Sequence, residues 1–368
     1  MSLAPSQTAT RIPRLRDRLG DAGCDALLVT RLVNVRYLTG FTGSAGMLLV
    51  LPSDVVLTTD GRYRDQSAEQ LAGAGVEARV EVGATVAAQH TVLAGAARAV
   101  RRLGLEAESV TWAQQRRFAG EVFESADLVP TEGVVEDLRR VKDRGEVARM
   151  AEAAGIADRA LAAVRPLLAD GLSEREIALA LDYEMRRLGA EGSSFETIVA
   201  SGPNGAKPHA RPTDRRVAPG ELVVIDFGAL VDGYCSDMTR TLCVGEPAGD
   251  VRQRMVEVVA ESQRAGVAAV AAGVGGREVD EACRAVIAEA GWADAFIHGT
   301  GHGVGLEIHE APRVASTSTD VLAAGHIVTV EPGVYLAEHG GVRIEDTVVV
   351  TEGGCEVLTN APKELVLA

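Results

Sequence analysis

Short apolar runs alternate with amphipathic stretches through the first third of the chain. ALLVT (26–30), GMLLVL (46–51) and VVLTT (55–59) are continuous and rich in branched side chains, a pattern that predicts buried strands. Segments 62–72 and 86–102 carry helical spacing. Strand and helix in alternation over residues 11–130 predict a small α/β domain. The charged stretch VEDLRRVKDRGEVARM (135–150) suits an exposed connecting helix. A boundary placed there gives an amino-terminal domain over 1–135 and a second domain over 136–368. The second domain opens with helical patterns near 144–169 and 173–189, the latter headed by Ser173 and Glu176 in capping-box spacing. Apolar strands then follow at 195–200, 222–227, 234–243, 326–331 and 342–350, with helical stretches at 250–272 and 277–290 between them. Grouped strands with segregated helices read as α+β rather than doubly wound.

Several of these apolar strands carry a residue that does not belong in a core. Asp226 and Asp237 lie in VVIDFGALVDGYCSDMTRT (223–241), Glu331 in IVTVEPGVY (327–335) and Glu345 in GGVRIEDTVVV (340–350). A carboxylate in an apolar strand needs a partner, and a metal explains all four at once. Asp232-Gly233 is a type I′ turn signal between two apolar runs. With that turn, Val231 faces Tyr234 and Gly228 faces Asp237. Asp226 and Asp237 become diagonal neighbours about 7–8 Å apart, and Gly228 leaves room beside them. Taken alone, the pair reads equally well as a turn aspartate and a surface aspartate.

The segment FIHGTGHGVGLEIHE (296–310) holds His298, His302 and His309, three of the seven histidines. His298 and His302 have the spacing of a helical zinc site, but Gly299, Gly301, Gly303 and Gly305 argue against a helix, at about 1 kcal/mol each. An extended, glycine-lined segment lets backbone approach a ligand closely. Glu331 ends its strand at Pro332-Gly333, and Arg343 and Glu345 alternate with Val342 and Ile344 onto one face. The ordinary reading of that last pair is a surface ion pair, worth little.

The donor set is oxygen-rich with one imidazole and no thiolate, which suits Mn, Co, Fe or Zn in a catalytic site. Four carboxylates balance two divalent ions, leaving a bridging water easy to ionise as a hydroxide nucleophile. The net charge of -15 and a pI near 5.0 argue against nucleic acid as a partner. The five cysteines are scattered without C-x-x-C spacing, pointing to a reducing cytoplasm rather than a disulfide framework. The first twenty residues lack an apolar signal core, and no apolar run reaches the length of a membrane span.

Together these segments resemble the pita-bread metallopeptidases, specifically the proline-specific branch of aminopeptidase P and prolidase. NVRYLTGFTGS (34–44) and TTDGRYRDQ (58–66) extend the likeness to a creatinase-like amino-terminal domain. The resemblance implies a carboxy-terminal pita-bread (creatinase/aminopeptidase) fold in which Asp226 and Asp237 chelate one metal, His302 and Glu331 serve a second, and Asp237 and Glu345 bridge. It further implies that His209 in AKPHARP (206–212) is the family's proximal histidine, though a histidine in such a loop is ordinarily plain surface. By the same likeness His309 stabilises the tetrahedral intermediate, and His298 and Arg343 line the leaving-group side. The implied activity is hydrolysis of the Xaa-Pro bond of dipeptides or short peptides, with Mn the first choice of metal and a homodimer the usual assembly. A methionine aminopeptidase-like or creatinase-like hydrolase and a non-catalytic peptide-binding module on the same fold are the competing readings.

Overall fold

The computed structural model describes residues 3–363 and 366–367, and the chain divides into one unit over Pro5–Arg139 and another from Arg140 onward. In the first unit the three predicted strands form as β1 (Ala26–Val29), β2 (Met47–Val50) and β3 (Val55–Thr59), joined by β4 (Arg79–Val82), β5 (Arg102–Glu106) and β6 (Asp127–Thr131). Their order is β4-β3-β2-β1-β5-β6. β1 and β3 are buried along their whole length, which is why they read as continuous apolar runs. The helix expected over 86–102 stops at Ala96, and Arg102 begins β5, parallel to both β1 and β6. Residues 97–101 form a turn instead, and only Arg102 of the expected helix enters the strand.

The charged stretch at 135–150 is not one exposed helix. It breaks into Glu136–Arg139 and the start of Arg144–Val164, because Asp143 caps the second helix in a reciprocal box with Glu146. That helix ends at Val164, short of the expected 169, and a 3₁₀ turn with Pro166 follows. The Ser173–Glu176 capping box forms and opens the helix Glu174–Arg187.

The second unit is α+β, with two halves, each a pair of helices packed on a sheet. In one half, β7 (Gly192–Ser193), β8 (Ile198–Ser201), β9 (Leu222–Phe227), β10 (Ala229–Val231), β11 (Tyr234–Cys235) and β12 (Met238–Val244) follow in sequence. Ala157, Leu161, Ile177 and Leu181 of the two helices pack on Val223, Ile225 and Leu242 of β9 and β12. In the other half, β13 (Gly301–Gly303), β14 (Glu310–Val314), β15 (Ile327–Val330), β16 (Gly333–Leu336), β17 (Gly340–Arg343), β18 (Asp346–Thr351) and β19 (Gly354–Val357) include a five-stranded sheet ordered β14-β13-β15-β18-β19. Helices Asp250–Ala269 and Gly276–Glu289 cover it, with Met255, Val259, Val279 and Cys283 packed on Val328, Val330 and Val348. The predicted strand 342–350 is two strands, and Ile344 and Glu345 lie in the break between them.

Candidate metal centre

The centre starts from a tight turn. Asp232 and Gly233 both have positive φ, 45° and 73°, as a type I′ turn requires. Val231 pairs with Tyr234, and further along the ladder Asp226 pairs with Thr239. Asp237, two residues before Thr239, is therefore the diagonal neighbour of Asp226. Gly228 serves a different purpose from the one expected. A Cβ there would lie 1.9 Å from Ser236 O and 2.3 Å from Ser194 Oγ, so the glycine admits neighbouring chain rather than metal.

One carboxylate oxygen each from Asp226, Asp237 and Glu345 lie within 4.8 Å of one another. His302 enters from β13, whose backbone passes so close to β15 that a Cβ on Gly301 would meet Thr329 O at 2.0 Å. His302 Nε2 stands 3.6 Å from Asp237 Oδ2 and 3.4 Å from Glu331 Oε1. The fold thus brings together all five residues singled out as ligands, drawn from both halves of the unit.

The electrostatics of the group are unfavourable without a cation. Burial, then the charges of Glu345, Asp226 and Glu331, push the Asp237 carboxyl well above its usual range. Burial, Glu331 and Asp226 do the same to Glu345. Burial raises Glu331 to about 8. His302 is lowered to about 4 by desolvation and is neutral at physiological pH, the form that ligates a metal. Asp226 Oδ1 is buried with no hydrogen-bond partner among the described residues. A divalent ion would supply the missing partner and reverse the mutual repulsion. The residues present fit a metal.

The surrounding residues have distinct surroundings. Arg343 is 2 % exposed and fully engaged within the protein. Its guanidinium donates from Nη2 to Asp226 Oδ2 (2.6 Å), from Nη1 to Tyr335 Oη (2.8 Å) and Pro208 O (3.3 Å), and from Nε to Thr239 Oγ1 (3.0 Å). It is no surface partner of Glu345. His298 Nε2 shares a hydrogen bond with Tyr335 Oη at 2.8 Å, and desolvation lowers His298 to about 4. His309 is exposed, its ring edge-on to His302 with centroids 4.3 Å apart. Desolvation, and the fields of His209 and Arg313, lower its pKa. His209 is exposed, yet its charge is felt at both His298 and His309.

Two residues escaped the sequence reading. Tyr335 joins Arg343 to His298, and its alternation with Gly333 beyond Glu331 was the available signal. Arg313 is exposed, opposes His302 across β13 and β14, and acts electrostatically on both His302 and His309. Its position four residues beyond His309 was the only hint.

Comparison with known proteins covers both units of the chain. The model of metallopeptidase family M24 matches residues 148–352, and that of the creatinase/prolidase N-terminal domain matches residues 11–141. An uncharacterized peptidase of Bacillus subtilis is 41% identical over 97% of this chain and 99% of its own. A solved Xaa-Pro dipeptidase from Bacillus anthracis superposes with a TM-score of 0.93 at 40% identity, covering 98% of this chain and 100% of the other. An X-Pro aminopeptidase from Thermotoga maritima gives 0.88 at 35% identity, covering 97% and 100%.

Proposed function

Because the chain belongs to metallopeptidase family M24, we propose that it is a metal-dependent peptidase hydrolysing the Xaa-Pro bond of dipeptides and short peptides with proline second. The observation that carries this reading is the buried cluster of Asp226, Asp237 and Glu345, with His302 Nε2 facing Asp237 and Glu331. Likeness over the whole chain to an Xaa-Pro dipeptidase and to an X-Pro aminopeptidase supplies the substrate class.

Asp226 and Asp237 would hold one divalent ion, His302 and Glu331 a second, and Asp237 and Glu345 both; manganese is the first choice, with Co, Zn or Fe as substitutes. When bound, the ions supply Lewis acidity, which brings the pKa of water toward neutrality and draws electron density from the scissile carbonyl. The protein's own groups do the rest. Arg343 fixes Asp226 through its 2.6 Å hydrogen bond, and Thr239 donates to Glu345 Oε2 at 2.7 Å, so ligand orientation is set before binding. Hydrolysis removes a proton from the attacking water and delivers one to the proline nitrogen as the C–N bond breaks; Glu331 would help carry it between them. His309 donates a hydrogen bond to the developing oxyanion. His209, exposed and felt electrostatically at His298 and His309, would act as the proximal histidine, and His298 would border the leaving proline. The free carboxylate of a dipeptide needs a cation. Arg343 is engaged with Asp226, Tyr335, Thr239 and Pro208, so Arg313, exposed beside His302 and His309, takes that role.

The homodimer and the cytoplasmic setting belong to the same proposal. The five free cysteines suit a reducing compartment. Light scattering at micromolar concentration tests the dimer, and monomer alone counts against it. The decisive experiment adds Mn, Co or Zn to metal-stripped protein with Ala-Pro, Gly-Pro and a longer Xaa-Pro-Yaa peptide. Cleavage of the dipeptides is expected. Cleavage of the longer peptide alone makes the enzyme an aminopeptidase, and no cleavage with any metal defeats the reading.

A further inference from the structure

We propose that Asp280 and Arg284 form a clamp that sets where His298 and Glu331 stand, a positioning role for two residues outside the site. The proposal rests on the peptidase reading above. Both side chains leave the helix Gly276–Glu289 one turn apart, and Arg284 Nε donates to Asp280 Oδ2 at 2.7 Å. Pairs at this spacing are usually solvated and contribute little. This one differs, because Asp280 is 0 % exposed. A carboxylate taken wholly out of water needs its remaining lone pairs satisfied.

The remaining hydrogen bonds of the two side chains all end on one five-residue segment, 296–300. Asp280 Oδ1 accepts from Thr300 N at 3.0 Å and Thr300 Oγ1 at 2.9 Å. Arg284 Nη1 donates to Phe296 O at 2.9 Å, and Nη2 donates to His298 O. The guanidinium also lies 4.2 Å over the Phe296 ring, which stands edge-on to the His298 imidazole. The segment is thus gripped at both ends and at His298.

The grip matters because no regular secondary structure fixes the segment's backbone, although Phe296 is packed in the core and His298 bonds to Tyr335. The segment is not helical, and the pairing of β13 begins only at Gly301. Downstream, Thr300 O accepts from Glu331 N at 2.7 Å. Asp280 therefore acts on Glu331 through Thr300, while Arg284 acts on His298 directly through its carbonyl. One ion pair on one helix spaces a group on the leaving-proline side from a proposed metal ligand.

The two arms predict different losses. Arg284→Lys keeps the charge beside Asp280 but cannot span two carbonyls. Its kcat on Ala-Pro should fall about tenfold, with KM within about twofold and Mn²⁺ affinity by calorimetry unchanged. Arg284→Ala should lose more, and added guanidinium should restore part of it. Asp280→Asn should weaken Mn²⁺ binding by about tenfold as well as lowering kcat, because Glu331 hangs from Thr300. Wild-type turnover in Arg284→Lys and Asp280→Asn overturns the clamp. So does a loss of kcat matched by an equal loss of folded protein in thermal melts. If the unmodified protein cleaves no Xaa-Pro peptide, the functional reading fails instead, and Mn²⁺ calorimetry on Asp280→Asn still judges the clamp.

Discussion

Glu174 and Glu345 are both buried carboxylates of the same unit, 0 % and 1 % exposed, in opposite circumstances. Glu174 accepts hydrogen bonds from the amide and hydroxyl of Ser201 (2.7 and 2.8 Å), the amide and hydroxyl of Thr213 (3.0 and 2.6 Å) and the side chain of Asn204. Burial opposes its charge, but those donors outweigh it and hold its pKa below the ordinary range. Glu345 accepts from Thr239 and otherwise faces carboxylates, so burial, Glu331 and Asp226 drive its pKa well above that range. A buried acid with a full set of donors is an anchor, here for the loop that carries His209. A buried acid facing other acids is one whose charge a bound cation would stabilise. Burial alone does not separate the two; the donor count does.

The largest effects test the ligand side of this contrast. Chelation should abolish hydrolysis and added divalent metal should restore it; full activity in rigorously metal-free protein would break the contrast. His302→Ala should lose bound metal and at least about 10³-fold in rate. His309→Ala should keep its metal, measured by elemental analysis, and still lose about 10²–10³ in kcat.

Stability tests the anchor side. Glu174→Gln replaces an acceptor by a donor among donors and should destabilise the protein by about 3 kcal/mol in urea melts. Glu345→Gln should do the opposite in metal-free protein and raise its melting temperature, because it removes a repelled charge. Shifts of the same sign would show that the two acids are alike after all.

Histidines allow the same comparison on a smaller scale. His302 and His326 are both lowered to about 4 by desolvation. His302 Nε2 faces two carboxylates, whereas His326 Nδ1 accepts from Ala323 N at 3.2 Å, a purely structural contact. As pH falls, the unfolded chain protonates at His326 first, near 6.5, and the folded protein only near 4. Its contribution to stability is therefore complete above that window and lost within it, on the order of 2–3 kcal/mol. Melts of metal-loaded protein at pH 7 and pH 5 should show a smaller difference in His326→Asn than in the unmodified protein.

The smallest effect separates two arginines. Arg313→Ala should raise KM for Ala-Pro about tenfold and leave a tripeptide within about twofold, whereas Arg343→Lys should lower kcat on both. Equal losses on both peptides in Arg313→Ala would remove Arg313 as the carboxylate reader.

Local chemistry was legible wherever a short-range rule governs it. The Asp232-Gly233 turn, the pairing of Val231 with Tyr234 and the Ser173–Glu176 cap all follow from residues a few positions apart. The charged residues stranded in apolar runs, Asp226, Asp237, Glu331 and Glu345, pointed to one centre, and the fold draws them together with His302. β5 was not predicted: the helical pattern was expected to run to Arg102, where the strand begins, and the strand's place comes from neighbours on both sides that lie far off in sequence. Gly228 was misjudged for a related reason: which atoms approach a glycine is a property of the other strand.

The chain by itself determines which residue types can hold a metal and the turn that sets two of them diagonally across a hairpin, since both depend on side-chain chemistry and near-neighbour geometry. Only tertiary structure decided that Arg343 bonds to Asp226 rather than pairing with Glu345 at the surface, that Tyr335 joins it to His298, and that Arg284 reaches His298. Each of those contacts except the Arg343–Tyr335 hydrogen bond closes over a dozen or more residues. Sequence spacing encodes no such distance, because packing of the two helix-covered halves sets it.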